Sequence, residues 1–451
     1  MSEALTSVGL DVGTTSTQMV VSRLQVENTA GAFAVPELRI TDRQVIYRGK
    51  VHFTPLLDDS HVDGEKLRLL VEREYANAGI TRDQVDTGAV IITGETSRKE
   101  NAETVLEAIS HLAGEFVVAV AGPDLESILA ARGSGAVEHA EKTGKTVLHM
   151  DIGGGTSNLA LIREGRIEAT GCLNVGGRLV KKDKDRRVTY ISPVLAPLFP
   201  VKAGQVLDGE TEENIAEFLT EALEMAAGLR PWEDRHRTLL TREAAGRIPD
   251  LPQPPVLSFS GGVADCIAER FASDAFGDIG PALGQHIRNS RLCRGEYLLG
   301  RETIRATVIG AGSYTTQLSG STVFRQNISF PLKNLPVVPV PDPENLPQMQ
   351  DALPVLALEG MEAPSYSAIA ALAETLAPRL PDPAVICTRQ DMAKALGQAL
   401  ALRLPENARI LCIDRIRAGE GDYLDIGAPV GAAMPVVVKT LVMGRKEGRN
   451  L

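Results

Sequence analysis

Short apolar runs and segments of helical period alternate along this chain. An apolar run ends in an Asp-containing turn near residues 8–12 and again near 147–152, and a second apolar run follows each turn. This pattern predicts two strand–turn–strand units. Apolar residues recur at helical spacing in four segments, which are residues 64–78, 101–114, 123–136 and 210–228. Strands that alternate with helices in this way predict an α/β protein.

The C-terminal third and one basic run have less regular patterns. Residues 330–348 are punctuated by proline and are predicted to form a linker or an ordered extended crossing. Beyond them, a helix over 390–404 and a strand over 408–416 predict a further α/β portion. The basic run 178–187 contains Asp183 and Asp185, so a solvated loop is predicted there rather than a polyanion site.

Composition narrows the functional classes. With 451 residues, 43% hydrophobic and 23% charged, the chain has the make-up of a globular protein of roughly two to three domains. The net charge of -11 argues against binding driven by nucleic-acid phosphates. The first residues lack a signal-peptide pattern and no apolar run reaches membrane-spanning length, so we expect a cytoplasmic protein. The five cysteines are scattered, and we expect reduced structural thiols.

The two Asp-containing turns, LDVGTT and MDIGGGTS, carry the candidate chemistry. Three consecutive glycines exceed what a hairpin turn requires, so another body is predicted to approach the backbone closely. Successive N–H groups without side chains form a concavity suited to phosphate, and Thr14, Thr15 and Thr156 would add hydroxyl donors. Asp11 and Asp151 would repel phosphate directly. A hydrated Mg²⁺ between them and the phosphates resolves that conflict.

A third element, PVLSFSGGVADCI, fits the same ligand. A hydrophobic strand ends at Gly261 and Gly262 and a helix begins, so a flat group could lie against the glycines. Neither Asp-containing turn is a Walker loop, since no Gly-Lys-Ser/Thr follows. Neither is a dinucleotide fingerprint, because a strand follows the turn rather than a helix.

This ordered set of motifs resembles the superfamily of actin, sugar kinases and heat-shock chaperones. The resemblance makes LDVGTTSTQ the first phosphate loop, MDIGGGTSN the second phosphate loop and LSFSGGVAD the adenosine loop, with connections through DLESILAARGSG and ATVIGAGSYTTQLSG. It implies an α/β, actin-like ATPase fold with two related ribonuclease H-like domains around a nucleotide cleft and a C-terminal α/β extension. The implied domains are 1–140, 141–325 and 326–451.

The linking segments narrow the resemblance to the family of ethanolamine ammonia-lyase reactivating factors. GAVIITGETSRKENA, CLNVGGRLV, ETIRATVIGAG and GDYLDIGAPVG carry it, and it covers nearly the whole chain. It implies a slow ATPase that acts as a chaperone, using ATP and Mg²⁺ to help an adenosylcobalamin-dependent lyase release damaged cobalamin so that intact coenzyme can enter.

The same resemblance sets the expected partners. They are ethanolamine ammonia-lyase and, through it, adenosylcobalamin, without nucleic acid or membrane. A homodimer is the candidate assembly, and the expected location is cytoplasmic, in association with a bacterial microcompartment.

Site residues carry over by motif. Asp11 and Asp151 would hold the metal. Phosphate would lie on Gly13, Thr14, Thr15, Gly153, Gly154, Gly155 and Thr156, and adenosine on Gly261 and Gly262. Asp151 is the first candidate to orient or deprotonate the attacking water. Asp124 or Glu126 is the next, although each is equally well explained as a carboxylate at a helix N-terminus. Gln18 stands where many relatives have a basic residue, which predicts weaker phosphate binding and slower turnover.

Three alternatives stay open at this point. A small-molecule kinase would need a substrate-side base and a polar pocket outside the nucleotide loops. An ATPase activator of a radical dehydratase would need closely placed bridging cysteines. A nucleotide-dependent scaffold would polymerise or bind partners without useful hydrolysis.

Overall fold

The computed structural model describes most of the chain. The described residues are 3–13, 16–29, 38–58, 61–93, 118–120, 123–241, 255–314, 316–319, 323–346, 353–416, 418–419, 422–429 and 434–440. Thr14, Thr15 and the predicted helix over 101–114 lie outside them.

Two sheets with the same strand order make up the N-terminal two thirds. The first contains β1 Glu3–Val12, β2 Ser16–Asn28, β3 Leu38–Arg48, β4 His52–Phe53, β5 Thr87–Ile92 and β6 Val118–Val120. The second contains β7 Val147–Ile152, β8 Ser157–Arg163, β9 Arg166–Leu173, β12 Val256–Ser260 and β13 Tyr297–Leu299. Between β9 and β12 lies the hairpin of β10 Val180–Lys182 and β11 Val188–Ile191.

The order of the main strands is β3-β2-β1-β5-β6 in the first sheet and β9-β8-β7-β12-β13 in the second. In each sheet the first three strands are antiparallel neighbours, and the last two run parallel to the first. Numbered within each unit, both orders are 3-2-1-4-5, the arrangement of ribonuclease H-like domains. The predicted actin-like fold class is therefore confirmed by the repeated topology.

Helices cover these sheets and continue beyond them. They are α1 Gly64–Ala78, α2 Pro123–Gly133, α3 Ala136–Thr143, α4 Gly209–Ala226, α5 Gly262–Ala268, α6 Gly280–Asn289, α7 Ala306–Tyr314, α8 Tyr366–Leu376 and α9 Ala393–Ala401. The helix predicted over 64–78 is confirmed, with Asp63 accepting the N-cap hydrogen bond and Gly79 in the left-handed conformation at its end. In α4, Ile215, Phe218 and Leu219 face the core of the second sheet, as their spacing predicts.

Two helices cross where the two sheets meet. A methyl group at Gly133 of α2 would lie 1.9 Å from the Ala306 carbonyl oxygen, and one at Gly310 of α7 would lie 2.0 Å from the Leu129 carbonyl oxygen. Only glycine permits this approach of two backbones. Helix α7 follows the last strand of the second sheet in the sequence, and it also packs on β1, β2 and β5 of the first sheet. It therefore connects the two sheets. The domain limits themselves stay a prediction.

The C-terminal portion is an eight-stranded mixed sheet covered by α8 and α9. Its order is β14-β21-β20-β16-β17-β18-β19-β15, and its strands are β14 Thr316–Ser319, β15 Phe324–Gln326, β16 Leu332–Pro339, β17 Val355–Leu358, β18 Ala384–Thr388, β19 Ile410–Asp414, β20 Asp422–Ile426 and β21 Met434–Thr440. The first part of the proline-rich run therefore forms a central strand, so the prediction of an ordered extended segment is confirmed and the linker alternative was wrong. Pro336 is tolerated there because it follows a register shift between Leu332 and Leu335.

The basic run also differs from expectation. Its first part forms strand β10, and Lys182 is 3% exposed, with its ammonium bonded to the buried Glu212 carboxylate. Arg186 donates to the other oxygen of Glu212 at 2.7 Å. The solvated-loop prediction holds only for the exposed tip at Asp183 to Asp185. The alternating charges of the run gave no sign that Glu212 on α4 would pair with it.

The state of the cysteines agrees with the prediction of reduced thiols. All five thiols are free, and four of them are buried. Burial raises the pKa of the Cys266 thiol to about 12, so that thiol stays protonated and unreactive.

Candidate nucleotide site

Two aspartates meet where the paired sheets face each other. Asp11 lies at the end of β1 and Asp151 at the end of β7, the equivalent position of the second unit. The negative charge of Asp151 contributes to raising the pKa of Asp11, so the two carboxylates lie near one another. The sequence placed both in one site, and the structure brings both to the same cleft.

The two turns after these aspartates have the same backbone hydrogen bond. The Gly13 N–H donates to the Ser16 carbonyl oxygen at 2.9 Å, and the Gly153 N–H donates to the Thr156 carbonyl oxygen at 2.9 Å. A glycine two residues after each aspartate thus closes a four-residue loop in both units. The long-range sequence similarity between LDVGTT and MDIGGGTS reflects one repeated loop geometry.

The glycines of the second loop are not explained by the packing of the protein. A methyl group would lie 3.4 Å from the nearest atom at Gly153 and at Gly154, and would meet nothing within 4 Å at Gly155. None of the three has a left-handed φ. Neither contact nor backbone conformation therefore demands glycine, and the space that a side chain would fill lies open beside the loop. This is the property expected of a loop that holds an anion on its N–H groups.

Asp151 is held by hydroxyl groups from two other elements. Ser260 Oγ, at the end of β12, donates to Asp151 Oδ1, and Thr307 Oγ1 of α7 donates to Oδ2 at 3.4 Å. Behind Ser260, the ring of His149 is fully buried, with Nε2 3.0 Å from Ser260 Oγ and Nδ1 3.0 Å from Ser258 Oγ. Burial lowers the pKa of His149 to about 3, so the ring is neutral. This chain of hydrogen bonds orients the carboxylate.

Asp11 has a simpler environment. Thr93, which follows the neighbouring parallel strand β5, donates through Oγ1 to Asp11 Oδ1 at 2.8 Å. Thr54 Oγ1 donates to the Gly13 carbonyl oxygen at 2.7 Å and fixes the loop from the side of β4. Thr93 and Ser260 were missed by sequence reasoning. A polar residue at the carboxyl end of the strand next to each Asp-bearing strand was the available signal.

Burial makes both carboxylates hard to ionise. It raises the pKa of Asp11 to about 7, with repulsion from Asp151 adding to the rise and the Thr93 hydrogen bond opposing it. It raises the pKa of Asp151 to about 6, against the hydrogen bonds from Ser260 and Thr307. Two half-buried acids that lie near one another favour the binding of a positive charge.

This pair of acids fits Mg²⁺ better than a metal held entirely by protein. Among the described residues, no group of three or more His, Cys, Asp or Glu side chains could enclose a metal ion. Mg²⁺ ordinarily takes one or two carboxylates together with phosphate oxygens and water. The two aspartates and the open second loop supply the protein's share of such a site.

The adenosine-loop residues have different environments. Gly261 has φ 85°, and a methyl group there would lie 2.3 Å from the Ile152 carbonyl oxygen, so packing alone accounts for this glycine. At Gly262 the nearest atom to such a methyl, Ile304 Cδ1, is 3.9 Å away, which leaves room for a ligand. Contact with adenosine stays a prediction for both residues.

Asp124 and Glu126 lie at the start of α2 and are engaged with the second sheet. Thr170 Oγ1 donates to Asp124 Oδ1 at 2.6 Å. Asn158 Nδ2 donates to Glu126 Oε2 at 2.6 Å, and Asn158 is the cross-strand partner of Asp151. Glu126 thus contacts the residue paired with Asp151, while Asp124 contacts β9 further along the sheet. The role of either carboxylate in activating water stays a prediction. Glu126 is only 7% exposed, which favours a structural role for it.

Gln18 occupies the same register in the first unit, as the cross-strand partner of Asp11. It is 3% exposed, and its Nε2 donates to the Ile304 carbonyl oxygen at 3.1 Å. Within the described residues, its Oε1 and the Oδ1 of Asn158 have no hydrogen-bond partner. Each buried amide thus leaves one acceptor oxygen beside its aspartate.

The chain is similar to proteins of ethanolamine utilisation. A family model described as ethanolamine utilisation protein EutA matches residues 3–444. The chain is 36% identical to the ethanolamine ammonia-lyase reactivase EutA of Salmonella typhimurium, over 97% of this chain and 98% of that protein. It is 35% identical to the reactivase of the same name from Escherichia coli, with the same coverage.

The chain is also similar to solved structures at low identity. A Ppx/GppA family member from Aquifex aeolicus is 13% identical, with a TM-score of 0.44, over 68% of this chain and 97% of that chain. The ethanolamine utilization protein EutJ from Carboxydothermus hydrogenoformans is 19% identical, with a TM-score of 0.33, over 68% of this chain and 88% of that chain. In the described part of the chain, no helix has the length and apolar character needed to cross a bilayer.

Proposed function

The chain belongs to the family of the ethanolamine utilisation protein EutA, and from this premise we propose that it is an ATP-dependent reactivating factor for adenosylcobalamin-dependent ethanolamine ammonia-lyase. It acts as a chaperone that promotes release of damaged cobalamin, so that intact coenzyme can bind the lyase. The similarity to two curated reactivases along 97% of the chain supports the identity of the client.

The nucleotide part of the proposal is supported by one observation above all. The second loop contains three glycines that neither packing nor backbone conformation requires, and the loop follows Asp151, a half-buried acid that lies near Asp11. Bound Mg²⁺-ATP would supply a cation to neutralise those acids and a phosphate chain to occupy the loops. Gly153 to Thr156 and Gly13 would bind phosphate through N–H groups, with the Thr156 hydroxyl as a further donor. Asp11 and Asp151 would face the cation.

Asp151 is the proposed orienting acceptor for the attacking water. Ser260 and Thr307 hold its two oxygens, and a pKa of about 6 leaves it mostly ionised yet able to accept a proton near neutral pH. Slow turnover is enough for a switch. ATP can change the protein's affinity for the lyase by closing the cleft. This requires that the open and closed states bind the lyase with different affinities.

The decisive experiment is recovery of trapped lyase activity. Ethanolamine ammonia-lyase is inactivated with an inert cobalamin, and this protein is added with adenosylcobalamin and Mg-ATP, with ATP omitted as the control. We expect recovery only with ATP. If nucleotide binds and no activity returns, the client assignment is wrong and the kinase and scaffold alternatives are to be tested with a substrate panel and by sedimentation.

Location and assembly belong to the proposal too. We propose a cytoplasmic protein that associates with a bacterial microcompartment and forms a homodimer. Co-fractionation with the lyase-containing shell and the mass in solution would test the two points.

A further inference from the structure

A pocket of about 340 Å³ opens between the two sheets at the phosphate loops. One wall comes from β4 and the segment after it, and the other from the start of β10, the segment before it and the turn before α6. The residues that line it are Phe53, Thr54, Leu56, Arg178, Lys181, Phe276 and Gly277. None of them was a candidate from the sequence.

Each wall of this pocket is attached to one phosphate loop. Thr54 donates to the Gly13 carbonyl oxygen, and Phe53 lies opposite Ser16, the residue that closes the first loop. On the other side, the Arg178 N–H donates to the Gly154 carbonyl oxygen at 2.7 Å. The Arg178 side chain also lies over this glycine, since a methyl group at Gly154 would be 3.4 Å from its Cδ. A phosphate chain held by both loops would therefore end beside Arg178.

The guanidinium of Arg178 is oriented but mostly unused. Its Nε–H donates to Asp278 Oδ2 at 3.2 Å, and its Cζ lies 5.6 Å from the centroid of the Phe53 ring across the cleft. Among the described residues, its four Nη–H donors have no hydrogen-bond partner. Lys181 lines the same pocket, but its ammonium lies 5.3 Å from the Tyr190 ring centroid.

The residue paired with Asp11 in the first unit is neutral. It is Gln18, and its amide donates to the Ile304 carbonyl oxygen inside the protein. A planar guanidinium with free donors is the side chain best suited to grip a phosphate group.

We propose that Arg178 is the phosphate-binding cation of this cleft and takes the terminal phosphate of a bound nucleoside triphosphate. The second domain thereby supplies the charge that the first loop lacks. Phe53 covers the guanidinium from the opposite domain, so contact with the terminal phosphate and approach of the two walls are linked. This inference depends on the proposed nucleotide site and adds to it a residue that distinguishes triphosphate from diphosphate.

Calorimetric titration with Mg-ATP and Mg-ADP tests the proposal on the full chain. In Arg178→Gln we expect the affinity for ATP to fall about tenfold or more, the usual effect of losing a charge-assisted hydrogen bond. The affinity for ADP should stay within about twofold. Lys181→Gln is the matched control from the same pocket, and both of its affinities should stay within about twofold.

Arg178→Lys provides a second variant that keeps the charge beside Asp278 and protects the fold. It should lose ATP affinity to a smaller extent and leave ADP affinity unchanged. Equal losses for ATP and ADP in the Arg178 variants, or no loss for ATP, would overturn the role of Arg178 while leaving the nucleotide site in place. Failure of the unaltered protein to bind either nucleotide would instead contradict the proposed nucleotide site, and this inference with it.

Discussion

The two Asp-containing loops share one backbone hydrogen bond, and the described groups around them differ. Both place a glycine N–H on a carbonyl oxygen three residues later, and both follow the first strand of a 3-2-1-4-5 sheet. Among the described residues, the hydroxyl of Thr93 donates to Asp11. Asp151 is held by Ser260 and Thr307, with a buried histidine behind them.

The glycines differ as well. Gly13 is crowded, because a methyl group there would lie 3.0 Å from the Ser16 carbonyl oxygen, whereas Gly155 has open space. The hydrogen bond of the turn is therefore common to both loops, whereas the open space beside a described glycine is found in the second loop. We infer that the second loop has room for a ligand against its backbone.

The largest effect should come from Asp151→Asn. Removing the charge and the proton acceptor while keeping the shape should lower the rate of ATP-dependent lyase reactivation about 100-fold. The melting temperature of the nucleotide-free protein should not fall. Asp234→Asn, at a fully exposed position, is the control and should reactivate normally. Unchanged reactivation by Asp151→Asn would refute the assignment of the second loop.

Two glycine variants distinguish a glycine that leaves room for a ligand from a glycine that the packing of the protein requires. Gly154→Ala should weaken Mg-ATP binding about tenfold without loss of stability, because the protein itself has room for the methyl group. Gly176→Ala should lower the free energy of unfolding by about 1–3 kcal/mol, since its methyl group would lie 2.3 Å from the Gly154 carbonyl oxygen. Denaturant titration and calorimetry measure both. Equal destabilisation by the two variants would contradict the distinction.

Asp11→Asn should stabilise the nucleotide-free protein in a pH-dependent way. The folded-state pKa of Asp11, about 7, lies above its ordinary value of 3.8. Protonation of this carboxyl therefore stabilises the folded state, and this contribution to stability is complete below the ordinary pKa. That advantage is lost as the pH rises through about 7. The stability gain from Asn should therefore grow by about 2–3 kcal/mol between about pH 5 and about pH 8.5. A constant difference across that range, measured by urea unfolding, would contradict the elevated pKa.

The smallest effects are expected from the hydroxyl partners. Thr93→Val and Ser260→Ala each remove one hydrogen bond that favours the ionised aspartate, so the pKa of Asp11 or Asp151 should rise. Mg-ATP affinity at neutral pH should fall about threefold in each case. The loss should disappear as the pH is raised, and a loss independent of pH would indicate a purely structural role for the hydroxyl.

Sequence patterns predicted the elements better than the contacts between them. The alternating apolar runs identified β1, β2, β7 and β8 because a hairpin is encoded by neighbouring residues. The proline-rich run was left open between a linker and an ordered extended segment, since prolines exclude most ladder positions. The register shift before Pro336 allows a central strand there. Lys182 was misjudged for a similar reason, because its partner Glu212 lies 30 residues away on α4.

By itself, the sequence determined the two Asp–Gly turns, the strand and helix periods and the family. Each of these depends on residues that are near in the chain or on similarity along its length. Only the tertiary structure decided which groups meet the aspartates. Thr93 lies 82 residues from Asp11, and Ser260 lies 109 residues from Asp151. Parallel strands joined by long crossovers bring such residues to one edge of a sheet, and no local pattern records which of them will meet.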